Sequence, residues 1–157
     1  VVPLLQGTRC ILTEIQTLVT QSFLPMPRRV VSGLDANRLS LVIAVLEKHA
    51  GLKFYNRDVF ANVAGGLKLT EPGGDLGLAL ALAGSLNDQP FPTDILAIGE
   101  VTLAGEIRPV AQINRRITEG RRFGFKRFVI SGSCDLPDDK SIIKVSSLRE
   151  AVKTVFS

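Results

Sequence analysis

Enzymatic hydrolysis needs an attacking oxygen or sulfur with a proton acceptor beside it. This chain supplies few such groups. His49 is its single histidine. It lies in Glu47-Lys48-His49-Ala50-Gly51, which reads as a helix end, where a histidine favours the negative pole of the helix dipole. No partner for base catalysis stands near it in the sequence. The two cysteines, Cys10 and Cys134, are far apart and have no C-x-x-C spacing. They therefore suggest neither a zinc site nor a disulfide framework, and read as buried free thiols of a reducing compartment. Two glycine-rich candidates also fail. Ala64-Gly65-Gly66-Leu67-Lys68 lacks the G-x-x-x-x-G-K-[ST] phosphate loop. Gly73-Gly74-Asp75-Leu76-Gly77 is followed by an apolar helix rather than a dinucleotide-binding unit. No G-x-S-x-G nucleophile elbow is present.

Cations are the more informative residues. The chain carries +4, yet the window from Arg108 to Arg127 holds seven basic residues against one acid, Glu119. The rest is net acidic. Arg115, Arg116, Arg121 and Arg122 sit on one short predicted helix, with Lys126 just beyond. Arg28 and Arg29 sit on a loop bounded by prolines. Guanidinium groups suit phosphate oxygens because their donors form a fixed fork. The pattern fits a surface for a phosphate backbone, without base readout. Phe123, Phe125 and Phe128 are spaced as for core packing. A solvated helix face is one competing reading. Contacts between subunits, with acids such as Asp138 and Asp139, are another.

These groups need elements to hold them. With 157 residues, 45% hydrophobic and 22% charged, the chain suits one globular domain spanning 1–157. No apolar run reaches the roughly 20 residues of a membrane span. The opening residues resemble the middle of a strand, which suggests a domain cut from a longer protein. Thr8–Val19 predicts one long strand, bulged somewhere along its length, and Ser22–Gly33 a loop or irregular hairpin. Asp35 caps a helix over Ala36–Ala50 that ends at Gly51. Asp58–Gly66 alternates as a strand, and Lys68–Gly74 is a Pro/Gly loop. Asp75 opens a helix, Leu76–Leu86, so apolar that it must be buried on most sides. Ile95–Ile98 is a short inner strand, and Gly99–Pro109 a hairpin around Ala104-Gly105. Ala111–Phe123 is an amphipathic helix with Ile113, Ile117, Gly120 and Gly124 inward, and Arg115 and Arg122 outward. Strands over Arg127–Ile130 and Ile142–Val145 precede a last helix, Ser147–Phe156. Mixed elements with hairpins make the class α+β.

Three segments carry a resemblance. Glu71-Pro72-Gly73-Gly74-Asp75-Leu76-Gly77 is similar to the nucleophile segment of Lon-type proteases. Gly99-Glu100-Val101-Thr102-Leu103-Ala104-Gly105-Glu106-Ile107-Arg108-Pro109-Val110 resembles the hairpin before the Lon catalytic lysine. Pro27-Arg28-Arg29-Val30 with Gly33-Leu34-Asp35-Ala36-Asn37-Arg38-Leu39 resembles a signature of the RadA/Sms family of bacterial recombination and repair proteins. The resemblance implies a Lon-protease catalytic-domain-like fold with mixed sheets and packed helices. It also places Asp75 at the serine position of the Lon dyad and Asn114 at the lysine position. Neither can do that chemistry: an asparagine amide does not accept a proton at neutral pH. Catalytic residues are thus expected to be none. Asp75 would suit the helix dipole, and Asn114 would bond across the old site, towards Asp75.

The resemblance further implies DNA repair by ATP-dependent branch migration in homologous recombination. This segment would serve there as ring scaffold and DNA-backbone surface, with Arg28, Arg29, Arg115, Arg116, Arg121, Arg122 and Lys126 as contacts. Partners would be DNA, further copies in a hexamer, and recombinase or replication-fork proteins, with no membrane. No cofactor is expected here. ATP, magnesium and zinc would belong to absent N-terminal domains, and the location would be cytoplasmic and nucleoid-associated. The rival expectation is a working hydrolase with Asp75 as base and Ser85 or Thr102 as nucleophile. Ser85 fails on distance, ten residues and roughly 15 Å along the helix.

Overall fold

Asp35 and Gly51 do set the limits of α1 (Ala36–Ala50). The Asp35 carboxylate accepts from the Asn37 N–H at 3.1 Å, and Gly51 takes the left-handed conformation, φ +72°. The computed structural model describes residues 1–157. α1 buries Leu39, Val42, Ile43, Val45 and Leu46. It packs beside α2 (Asp75–Leu86), whose apolar residues are buried almost throughout. These helices cover the inner face of a three-stranded sheet. In it β5 (Arg57–Val63) lies between β3 (Ile15–Gln21), antiparallel, and β4 (Arg29–Ser32), parallel. Val19, Val59 and Ala61 point at the helices, while Leu18, Phe60 and Val30 form an outward row.

A hairpin of β1 (Val2–Gln6) and β2 (Arg9–Thr13) precedes this sheet. Beyond α2 comes β6 (Ile95–Ala97), then the hairpin β7 (Glu100–Val101) and β8 (Ile107–Arg108), then α3 (Ile113–Arg122). β9 (Arg127–Ser131) pairs in parallel with both β6 and β10 (Ile142–Val145), and α4 (Leu148–Phe156) closes the chain. The architecture is mixed α and β with several sheets and four helices.

Several expectations need correction. Thr8–Val19 is two strands, parted at Glu14, because β2 pairs with β1 while β3 pairs with β5. Alternation runs through the break, so the pattern conceals the change of partner. Ser22–Gly33 contains β4, a four-residue strand defined by its distant partner β5. The helix expected over Ala111–Phe123 starts at Ile113, after Gln112 at φ +61°. Gly124 is exposed and leaves the inward stripe, whereas Ile117 and Gly120 are buried on it. His49 is at a helix end as expected, with its Nε2 3.0 Å from the Leu103 carbonyl.

Carboxylates bind the periphery together. Arg127 grips Asp94 with two bonds of 2.7 Å and holds its carboxyl below the usual range. The Arg28 N–H does the same to Asp58, the Ser141 N–H to Asp139, and the Ser146 N–H to Glu150. Depressed folded-state pKa values contribute stability above the unfolded pKa, and that contribution is lost as pH falls through the folded one. We expect urea midpoints to be flat down to about pH 4 and to fall below it. Asp58→Asn is expected to shrink that acid-side loss; an identical pH profile would remove Asp58 from the account.

Candidate functional site

The N-terminus of α2 opens on a cleft of about 520 Å³, between Gly33–Arg38 on one side and Lys68–Asp75 on the other. Asp75 is the first residue of α2 and only 1% exposed. Its carboxylate accepts from Arg38 Nε at 2.8 Å, from Arg38 Nη2, and from the Val101 N–H at 3.1 Å. The backbone is tied nearby: Leu76 N–H donates to Gly99, and Gly99 N–H to Gly73. The Gly99–Pro109 hairpin is thus fastened to α2 beside Asp75.

Asn114 is not part of this site. It is exposed, makes no hydrogen bond to Asp75, and lines a shallow groove with Arg121, Asp138 and Asp139. The contact expected between Asn114 and Asp75 is therefore absent. Two residues on, Arg116 turns about 200° around the helix, and it is this side chain that reaches the α2 end of the molecule. Arg116 is 3% exposed. Its Nε donates to Ala111 O at 2.9 Å, and its Nη1 to Pro3 O at 3.0 Å and to Glu71 Oε1. Glu71 Oε2 accepts from the Leu5 N–H at 2.7 Å. Gly73 lies so close that a Cβ there would sit 2.6 Å from Arg116 Nη1. This buried pair joins β1, the turn before α2, and α3.

Ser85 lies at the far end of α2, where its Oγ accepts from the Val19 N–H at 2.9 Å. Thr102 Oγ1 accepts from the Glu106 N–H at 3.1 Å within the hairpin. Neither hydroxyl is hydrogen-bonded to Asp75.

The cations expected as one surface are spread over different tasks. Arg116 is buried and unavailable to an outside partner. Arg29 donates to the carbonyls of Arg57 and Phe54, so its guanidinium anchors the start of β5. Arg28 pairs with Asp58 at 3.2 Å and lies over the Phe60 ring. Arg121 pairs with Asp139 at 3.2 Å, donates to Ser141 Oγ and stacks on Phe128. That pair is internal to the chain. Arg122 sits 3.7 Å from Glu119 with its side chain 76% exposed. Arg115 and Lys126 are exposed and make no ion pair. Arg9, from the β1–β2 hairpin, joins Arg115 and Arg122 around one groove.

Sequence reasoning missed three of these roles. Arg38 is a cation in the first turn of α1, the end where a helix dipole disfavours it. That mismatch was a signal for an outside carboxylate. Arg116 falls on the stripe of Ile113, Ile117 and Gly120, three after the first and four before the last, so its burial was readable too. Arg9 had no local signal, because only the hairpin carries it to α3. Cys10, in the same groove, and Cys134 have thiols pushed up by burial. No cluster of three His, Cys, Asp or Glu comes together that would hold a metal ion. No helix is long and apolar enough to cross a membrane.

The family described as subunit ChlI of Mg-chelatase matches residues 35–133, more than half of the chain. Curated relatives are named DNA repair protein RadA. That of Escherichia coli is 45% identical over 94% of this chain and 33% of its own length. That of Haemophilus influenzae is 51% identical over 83% and 28%. That of Streptococcus pneumoniae is 41% identical over 100% and 38%. The chain thus spans about one third of the length of the curated relatives it matches.

Proposed function

On the premise that the chain belongs to the family described as subunit ChlI of Mg-chelatase, we propose that it is a Lon-like, non-proteolytic segment of a DNA repair protein that contacts DNA and neighbouring subunits. The relatives' name guides this reading, because it rests on identity across nearly the whole chain. On it, the segment is the scaffold and DNA-backbone surface of an ATP-dependent branch-migration motor in homologous recombination. Nucleotide, magnesium and zinc belong to other parts of that protein.

One observation carries the non-proteolytic reading: the Asp75 carboxylate, gripped by Arg38 and the Val101 N–H, where the Lon resemblance puts the nucleophile. A carboxylate already paired with a guanidinium is a poor base, because deprotonating a hydroxyl would require giving up that pair. The chain is expected to cleave neither casein nor fluorogenic peptides, and a fluorophosphonate probe is expected to label nothing. Turnover that disappears with Asp75→Asn would establish the rival hydrolase instead.

The scaffold reading is supported by two unlike surfaces, an apolar loop patch and a mixed cleft beside α1. The β3–β4 loop exposes Phe23 (91%) and Met26 (82%), beside the Leu18–Phe60–Val30 row. Beside α1 lies a cleft of about 510 Å³, where Leu41 and Leu103 stand with the charged Arg38, Glu100, Glu106 and Arg108. Unlike patches on one subunit make head-to-tail contacts, which generate a ring where the rotation between subunits closes and a filament where it does not. Light scattering is expected to give masses above the 17.0 kDa of one chain as concentration rises. Phe23→Asp with Met26→Asp is expected to return it to one chain. A wild type that stays monomeric throughout, while binding DNA, defeats the scaffold half alone.

Backbone contact is supported by Arg9, Arg115, Arg122 and Lys126, which are all exposed, and of which Arg9, Arg115 and Lys126 make no ion pair. DNA affinity is then expected to fall steeply with salt. Changing Arg9, Arg115 and Arg122 to Ala is expected to flatten the log–log slope by about two to three units. A slope unchanged by the triple variant moves DNA to another surface.

A further inference from the structure

Phe123 contradicts the expectation that the three phenylalanines after α3 are core. Phe128 is fully buried and Phe125 partly so, but Phe123 is 64% exposed. Its backbone finishes α3, donating to Glu119 O at 3.2 Å, while its ring is left to solvent. The ring borders a groove of about 790 Å³ between the β1–β2 hairpin and the end of α3. Arg9, Arg115 and Arg122 line the same groove, from two separate elements. Its acids are Glu14 and Glu119, and Glu119 is 3.7 Å from Arg122. Cations therefore outnumber acids there, and Arg9 and Arg115 have no intramolecular ion pair.

An exposed aromatic face within a groove lined by arginines matches what unpaired nucleic acid needs. The arginines attract the phosphates, and the ring receives a base face that a duplex keeps stacked inside. We infer that this groove binds single-stranded DNA, with a base stacked on Phe123 and the flanking phosphates on Arg9, Arg115 and Arg122. This rests on the DNA-contact reading above and narrows it to one strand and one site. Stacking is indifferent to base identity, so it agrees with sequence-independent binding.

The chain has no tryptophan, so Phe123→Trp places a lone indole reporter in the groove. The exposure of Phe123 makes the exchange compatible with the fold, which circular dichroism checks. Oligothymidylate of about 16 nucleotides is expected to quench that fluorescence saturably, and a duplex of the same length to leave it nearly unchanged. Phe123→Ala is expected to weaken oligothymidylate binding about 5- to 150-fold, with little change for duplex. Oligothymidylate binding that is sensitive to Arg9, Arg115 and Arg122 but leaves the indole fluorescence of the Phe123→Trp variant unchanged overturns stacking and leaves backbone contact standing. Equal losses on single strand and duplex overturn the strand preference. Absence of binding to either DNA by the wild-type chain overturns both this inference and the reading beneath it.

Discussion

Arg38→Ala lowers the unfolding free energy by about 3–5 kcal/mol, the cost of leaving one member of a buried ion pair alone. Asp75 has a side chain only 2% exposed, and without Arg38 it keeps a single donor, the Val101 N–H. Asp75→Ala costs less. The abandoned Arg38 side chain is already 33% exposed and turns to water. Arg38→Met combined with Asp75→Leu recovers much of the loss, since apolar replacements remove the desolvation problem for both partners. Urea unfolding of the four proteins tests this ordering. Equal midpoints for wild type and Arg38→Ala would show that the pair does not hold α1 to α2. Set beside the peptidase assay, this experiment separates structure from chemistry at Asp75. A catalytic Asp75 would change turnover, whereas a structural Asp75 changes stability alone.

Gly33→Ala is expected to cost about 2–5 kcal/mol from two sources. Gly33 has φ +81°, and a left-handed residue with a Cβ costs about 1–2 kcal/mol. That Cβ would also lie 2.7 Å from the Leu67 carbonyl oxygen and 2.8 Å from Val63 Cβ. Backbone at 2.7 Å cannot rotate away, and overpacking of this kind costs about 1–3 kcal/mol. Gly33 O also accepts from the Leu69 N–H at 2.7 Å, joining the two walls of the cleft. The melting temperature is expected to fall by about 2–4 °C per kcal/mol for a chain of this size. Gly65→Ala is the control. It is also left-handed, at φ +75°, but nothing lies within 4 Å of its Cβ position, so only the conformational part is lost. Equal losses for the two variants would mean that crowding at Gly33 contributes nothing.

The elements with local causes were legible. α1 was readable from end to end, because its cap, its apolar spacing and its terminal glycine are all sequence neighbours. So were α2, whose uniform apolarity demanded burial, and the Gly99–Pro109 hairpin. β4 and the break at Glu14 were not. A strand of four residues has little local preference, and its existence depends on β5, about thirty residues away in the chain. The site divides in the same way. Asp75 was readable as the residue at the mouth of an apolar helix. Arg38 as its partner was not identified, because the two are brought together by the packing of α1 on α2.

Residue types and order alone determined which local motifs this chain lacks, where α1 starts and stops, and that its positive charge is concentrated late. Tertiary structure decided how that charge is used. Of the seven basic residues expected as DNA contacts, from that late cluster and from the Arg28–Arg29 loop, Arg116 became a buried strut, Arg29 an anchor, and Arg28 and Arg121 internal pairs, leaving an exposed few joined by Arg9. The reason is electrostatic. A guanidinium's role depends on which carboxylate, carbonyl or solvent it meets within a few ångströms, and those neighbours come from strands and turns remote in the chain.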